Sequence, residues 1–195
     1  MSLLTIGTVA FDAIETPFGK TDKILGGAAT YTGLSASKFT NNVNLVSVVG
    51  EDFPEEHIRM MERQGIDTRG LQIKKGENTF YWSGKYRDDM NVRDTLDTQL
   101  NVFEKFDPII PAEYQDCNYL MLGPLHPSLQ KTVIERLWRR PKLIMMDTFD
   151  IWMDRTMTEL KETLTMIDIL SINDEEARHL SQEHSLVKAA KVIMA

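Results

Sequence analysis

Asp12, the pair Gly26 and Gly27, Asp52, Asp147 and the pair Asn173 and Glu176 are the residues whose types and spacing could do chemistry. Carboxylates accept hydrogen bonds from hydroxyls and ligate hard cations. Adjacent glycines in front of a helix let another group approach the backbone closely. The glycine pair opens "LGGAATYTGLSASKF", residues 25–39, which matches neither well-known phosphate cradle. It lacks the GxxxxGK[ST] order, so no lysine is placed to reach phosphates. It also lacks GxGxxG and does not follow the first strand directly, so the dinucleotide fingerprint fails. What remains is two positions without side chains at the mouth of a helix, able to face Asp12. A compact polar ligand lying against that backbone is a sufficient reason for them.

Each of these residues also has a plain structural role open to it. Asp12 suits a turn. Asp52, two residues before Pro54, suits a helix N-cap. Asn173-x-x-Glu176 has the spacing of a capping box as well as of a magnesium or phosphate motif. His57, His126, His179 and His184 show no nucleophile-base spacing and read as surface or helix residues, and the aromatics of 78–103 read first as packing.

Short apolar, β-rich runs at 3–9, 43–49, 119–122, 143–146 and 167–172 must position these groups. Helical patterns lie between them: 54–63, with acids early and Gly65 as a stop; 128–138, with Leu129, Val133 and Leu137 on one stripe; and 155–166, with Leu160 and Leu164. Alternation of this kind predicts βαβ units and a largely parallel sheet. Ligands of such sheets bind outside the carboxyl ends of the strands. Asp12, Gly50-Glu51-Asp52, Asp147 and Asn173 with Glu176 follow four of the five runs, and Gly-Pro follows the other. That pattern suits a hydroxyl-rich ligand or one accompanied by a metal.

Residues 78–103 break the rhythm. "NTFYWSGKY" alternates, with Phe80, Trp82 and Tyr86 on one face, and "TLDTQLNV" alternates through Leu96, Leu100 and Val102. The charged "RDDMNVRD" between them reads as a turn. An antiparallel pair standing off the main sheet is expected, as a lid over a site or as an edge hairpin of the core.

The chain has 195 residues, enough for one α/β domain with a buried core. Apolar residues at 42% and charged residues at 26% are ordinary globular values. A net charge of −7 argues against a broad nucleic-acid surface, which needs clustered Lys and Arg, but leaves room for a small anionic ligand. The single cysteine, Cys117, cannot form an internal disulfide, and no Cys/His spacing resembles a zinc site. With no signal peptide and no apolar run of membrane-span length, a cytoplasmic protein away from nucleic acid and membrane is expected. "SLVKAAKVIMA" places Leu186, Ala190 and Ile193 at helical spacing and then stops without a cap, which reads as a cut helix.

"GTVAFD", "GGAATY", "VSVVGEDFPEEHIRMMERQGIDTRGL" and "SINDEEA" resemble, in order and spacing, the ribokinase-like (PfkB) carbohydrate and nucleoside kinases, and the resemblance runs from the first strand to Ala195. It implies a three-layer α/β fold with a mostly parallel sheet and a small β lid, here a single incomplete domain with lid insertions at about 13–25 and 74–105. It implies transfer of the ATP γ-phosphoryl group to a hydroxyl of a sugar or nucleoside with Mg²⁺. By position, Asp12 would bind sugar hydroxyls and Gly26 and Gly27 would line the pocket. Asn173 and Glu176 would sit in the motif that influences magnesium and phosphate binding, with Glu176 the candidate metal ligand. The lid would exclude water. Separately, the aromatic face of the 78–103 hairpin is expected to be covered, as by a homodimer contact.

The chain departs from the family pattern twice. Many sugar kinases of the family carry an Asn shortly after the glycine pair, where this chain reads Ala28, Ala29, Thr30, Tyr31; Tyr31 then becomes a candidate acceptor contact, for a bulkier, nucleoside-like molecule. The GAGD-type motif that supplies the family's base and anion hole does not occur before Ala195. The 195 residues are therefore expected to be the N-terminal, acceptor-binding portion of a kinase, inactive alone. The competing expectation is a non-catalytic binding or regulatory protein with a kinase-like fold.

Overall fold

The computed structural model describes residues 1–88, 90 and 92–195; Asp89 and Asn91, in the middle of the charged turn, lie outside the described residues. In chain order the elements are β1 (Leu3–Ile6), β2 (Ala10–Thr16), β3 (Gly19–Lys20), β4 (Ile24–Gly26), α1 (Ala28–Ala36), β5 (Val43–Gly50), α2 (Glu55–Arg63), β6 (Ile66–Lys74), β7 (Tyr81–Tyr86) and β8 (Arg93–Gln99). Two short 3₁₀ turns follow, Asn101–Lys105 and Ala112–Tyr114. Then come β9 (Tyr119–Leu122), α3 (Pro127–Arg136), β10 (Leu143–Asp147), α4 (Asp150–Arg155), α5 (Met157–Leu164), β11 (Ile169–Ser171), α6 (Asp174–Ser181) and α7 (Leu186–Ile193).

Six strands form an all-parallel sheet in the order β11-β10-β9-β1-β5-β6. Its two faces bury different side chains. Leu4, Ile6, Val46, Val48, Leu122, Ile144 and Met146 pack with Val133 of α3 and Leu160 of α5. Val43, Leu45 and Val49 pack on the other face with Ala29 of α1, Met61 of α2 and Phe53. Strand β5, between β1 and β6, is buried at every position, as strands covered on both faces are. The result is the expected three-layer α/β arrangement. Beyond α1, the same face opens into a groove lined by Tyr31, Phe39, Tyr119, Met121, Met145 and Ile169.

A second sheet stands off the first, in the order β3-β2-β7-β8 with β4 also paired to β2. Its hairpin β7–β8 is antiparallel, whereas β7 runs parallel to β2. The first apolar run, read as one strand over 3–9, is divided between the two sheets. At Gly7 the chain leaves the parallel ladder, and the buried Ser47 hydroxyl takes over the lost partners: it donates to the Gly7 carbonyl (2.6 Å) and accepts from the Val9 N–H (3.1 Å).

Other boundaries move for local reasons. The helix expected over 155–166 begins only at Met157; Arg155 ends a separate preceding helix, and at Thr156 between them the backbone leaves helical geometry (φ −139°) while the hydroxyl bonds back to the Trp152 carbonyl. Strand β8 stops at Gln99, so Val102 belongs to a 3₁₀ turn and enters the main core. In α7 the buried residue is Ala189, one position from the stripe read through Ala190. Asp52 does not cap α2: the N-cap is Pro54, with no side-chain bond. No helix among the described residues is long and apolar enough to cross a membrane.

Candidate active site

Asp12 sits in the middle of β2, opposite Ile24 of β4 on one side and Trp82 of β7 on the other. Directly paired strand residues share a face, so the carboxylate and the indole are neighbours on the same side of the second sheet. The indole lies across Gly84, where a Cβ would stand 2.1 Å from the ring.

The glycine pair is explained by what it already touches. A Cβ on Gly26 would stand 2.2 Å from an Asp12 carboxylate oxygen, so this glycine makes room for Asp12. Gly27 has φ +97°, and a Cβ there would stand 2.3 Å from the Thr8 carbonyl oxygen. Thr8 also serves the start of α1, its hydroxyl accepting from the Ala28 N–H and its carbonyl from the Ala29 N–H, both at 3.0 Å. Two orphan donors of the helix are satisfied without a capping side chain on Gly27. Burial pushes the Asp12 carboxyl above the usual carboxylate value, and the Gly27 N–H opposes that shift. A half-buried carboxylate at a helix mouth, beside an aromatic ring, is equipped to accept hydrogen bonds from hydroxyl groups.

Tyr31 lies on the exposed side of α1, 55% exposed, and its hydroxyl donates to the Leu25 carbonyl at 3.1 Å. Its ring lines the groove over β9 to β11, and Asp12 is not among that groove's lining residues.

Asn173 and Glu176 form a complete capping box at the start of α6. The Asn173 side chain accepts from the Glu176 N–H (2.8 Å) and Glu176 accepts from the Asn173 N–H (2.9 Å). Glu176 is nonetheless only 5% exposed. Burial pushes its carboxyl upward, the Asn173 N–H opposes this, and the nearby charges of Asp150 and Asp147 raise it further. Asp147 ends β10, is itself pushed upward by burial, and accepts from the Thr148 N–H at 2.9 Å. Gln130 ties this region together, donating to the carbonyls of Gly123 (2.8 Å) and Asp147 (2.9 Å). His179 packs between Asp150 and Asp154, its nitrogens 3.7 and 3.3 Å from their oxygens.

The acids around Glu176 supply hard oxygen donors, but among the described residues no three groups converge as a ready-made metal cage. A site of this kind fits Mg²⁺ held through one or two carboxylates, water and phosphate oxygens, the usual way that ion is bound.

Trp82, which the sequence pattern marks only as a packing aromatic, and Arg93, which it does not mark, are tied to these groups by the fold. The Arg93 guanidinium stands 5.9 Å from the Trp82 ring centre, and its charge acts on Glu176 to lower that carboxyl. The β7–β8 hairpin thus bears on both groups, Trp82 of β7 paired opposite Asp12 and the charge of Arg93 on β8 acting on Glu176. The alternation of 78–86 puts Trp82 on a face, but only the long-range parallel pairing of β2 with β7 puts it beside Asp12.

The sequence profile of the family described as pfkB family carbohydrate kinase matches residues 2–195. A cytidine kinase of Thermococcus kodakarensis is 27% identical over 197 residues, which cover 99% of this chain and 69% of that protein. Among solved structures, a Burkholderia thailandensis nucleoside kinase in complex with inosine superposes with a TM-score of 0.76 at 12% identity, over 94% of this chain and 64% of its own. A ribokinase of Cryptococcus neoformans in complex with ADP gives 0.74 at 18% identity, over 99% and 67%. The chain therefore spans about two thirds of the length of these proteins, and the structural likeness shows a common ribokinase-like fold.

Proposed function

Because the chain belongs to the pfkB family of carbohydrate kinases, we propose that its 195 residues form the acceptor-binding portion of an ATP-dependent sugar or nucleoside kinase. The observation that carries this reading is the Asp12 carboxylate seated in the space left by Gly26, at the mouth of α1, on the face it shares with Trp82. Asp12 accepts hydrogen bonds from acceptor hydroxyls, while Gly26 and Gly27 allow the acceptor to approach the backbone. Trp82 offers a flat apolar surface suited to a ring. Tyr31 contributes from α1 only if its bond to Leu25 is released, so it ranks below Asp12. Residues 13–25 and 74–105 act as a lid that excludes water.

At the other end, Asn173 and Glu176 would hold the phosphates of ATP, and Glu176 a Mg²⁺ ion. Such an ion, when bound, would neutralise charge that develops during phosphoryl transfer. Transfer also needs a base for the acceptor hydroxyl, and the notable length difference from the cytidine kinase supports the view that these residues alone do not complete the reaction. Cys117 is the chain's single cysteine and has no partner for an internal disulfide, which supports a reducing cytoplasmic setting. A second copy would meet the molecule on the second sheet, whose edge strand β8 is exposed along its whole length.

The test is titration of the purified 195-residue chain with cytidine, adenosine and ribose, followed by addition of ATP and Mg²⁺ and mass analysis of the acceptor. At least one acceptor binds and no phosphorylated product forms. Binding of none contradicts the acceptor reading; product formation contradicts the statement that the chain alone does not transfer phosphate.

A further inference from the structure

Thr79 lies two residues before β7, is only 1% exposed, and has every polar group engaged by residues distant in the chain. Its N–H and its hydroxyl both donate to Asp52 Oδ1, each at 2.7 Å. The same hydroxyl oxygen accepts from the Gly50 N–H at the end of β5 (3.0 Å). Its carbonyl accepts from the Asn101 side chain, where the chain returns from β8 (2.8 Å). Around this node Glu51 takes the Gly76 N–H (2.9 Å) and gives its own N–H to the Glu77 carbonyl (3.1 Å). The fit leaves no slack, since a Cβ on Gly50 would stand 2.3 Å from the Glu77 carbonyl oxygen.

Asp52 is the informative member. Its place two residues before Pro54 would let it serve α2, yet that helix starts without a side-chain cap while the carboxylate turns to Thr79. One residue further on, the Phe80 carbonyl accepts from the Phe11 N–H (2.9 Å), the first rung between β7 and β2. Phe11 then pairs with Tyr81 and Asp12 with Trp82. A slip of one residue would turn every side chain of β7 to the other face and remove Trp82 from Asp12.

We propose that Asp52 and Thr79 are positioning residues of the acceptor site: their clasp sets the register of β7 on β2, and so holds Trp82 beside Asp12. The proposal rests on the reading of Asp12 as the acceptor ligand. Loosening the clasp frees the second sheet and leaves the six-stranded sheet intact.

The experiment compares Thr79→Val, which keeps the shape and loses the hydroxyl, with Thr79→Ser, which keeps the hydroxyl, and with Asp52→Ala. Backbone hydrogen exchange is followed by mass spectrometry, and binding of cytidine, adenosine and ribose is titrated. Thr79→Val and Asp52→Ala speed exchange in 81–86 and 93–99 about tenfold, the effect of leaving a buried donor without its partner, while exchange in 43–50 and 119–122 stays as in the parent. Whichever probe binds the parent is bound about tenfold more weakly by Thr79→Val and within about twofold of the parent by Thr79→Ser.

Unchanged exchange in 81–99, or equal acceleration in both sheets, overturns the proposal. So does a loosened second sheet with unaltered affinity. If the parent binds none of the three probes, the acceptor reading of Asp12 fails with the positioning role, and the exchange data still decide whether the clasp holds the register.

Discussion

Strands β5 and β8 are opposites: all eight residues of β5 are buried and all seven of β8 are exposed. The first, VNLVSVVG, is held by two apolar cores, one on each face. The second, RDTLDTQ, pairs among the described residues only with β7, and is held by that ladder and by hydrogen bonds at the root of the hairpin. The six-stranded sheet is thus fixed by packing and the second sheet by register. Asp12 and Trp82 belong to the second, next to the point where it meets the first. A site placed there can keep one rigid wall and one wall that moves.

The contrast breaks most visibly in the packed sheet. Leu122 is fully buried in the larger core, and Leu122→Ala is expected to lower unfolding stability by about 2–5 kcal/mol, read from the denaturant midpoint at unchanged slope. Next in size is Gly27→Ala. Its left-handed φ and its approach to Thr8 are both imposed on the new side chain, for a loss of about 1–3 kcal/mol. Gly65→Ala sharpens the point, because φ there is +85° but nothing lies within 4 Å of the added carbon. It should cost about 1 kcal/mol, less than Gly27→Ala, by thermal melting.

Asp12→Asn should act in the opposite direction on stability. A buried carboxyl with a raised pKa contributes stability that is fully present below its unfolded value of 3.8 and is lost as pH rises through the folded value. The neutral amide escapes that loss, so Asp12→Asn melts higher than the parent near pH 7. The difference shrinks as the pH is lowered toward 4, while acceptor binding near pH 7 is weaker than in the parent. The smallest effect belongs to β8: Leu96 is exposed, and Leu96→Ser should leave the melting transition within about 0.5 kcal/mol of the parent.

The legible parts of the fold were those coded locally. The helix after Pro54, the stripe through Val133, the capping box of Asn173 and Glu176, and the strands at 43–49 and 143–146 all follow from short-range pattern. The division of the first run at Gly7 is invisible locally, because the group that compensates it, the Ser47 hydroxyl, is 40 residues away. Asp52 carries a capping signal that a tertiary partner overrides. Asp12 and the glycine pair were readable as neighbours, but not that Gly26 accommodates the carboxylate itself. Trp82 and Arg93 needed the β2–β7 pairing, and Tyr31, conspicuous in sequence, is turned to a different surface.

The central claim is that the acceptor binds on the Asp12 face of the second sheet. It is tested most directly by following the Gly27 amide and the Trp82 indole N–H by NMR as cytidine, adenosine or ribose is added to the parent and to Asp12→Asn. In the parent, a binding acceptor shifts both signals and leaves the amides of 119–122 in place; in Asp12→Asn the affinity falls about tenfold or more, as expected for loss of a charged hydrogen-bond acceptor. An acceptor that binds both proteins equally, or that shifts only signals remote from Gly27 and Trp82, would contradict it.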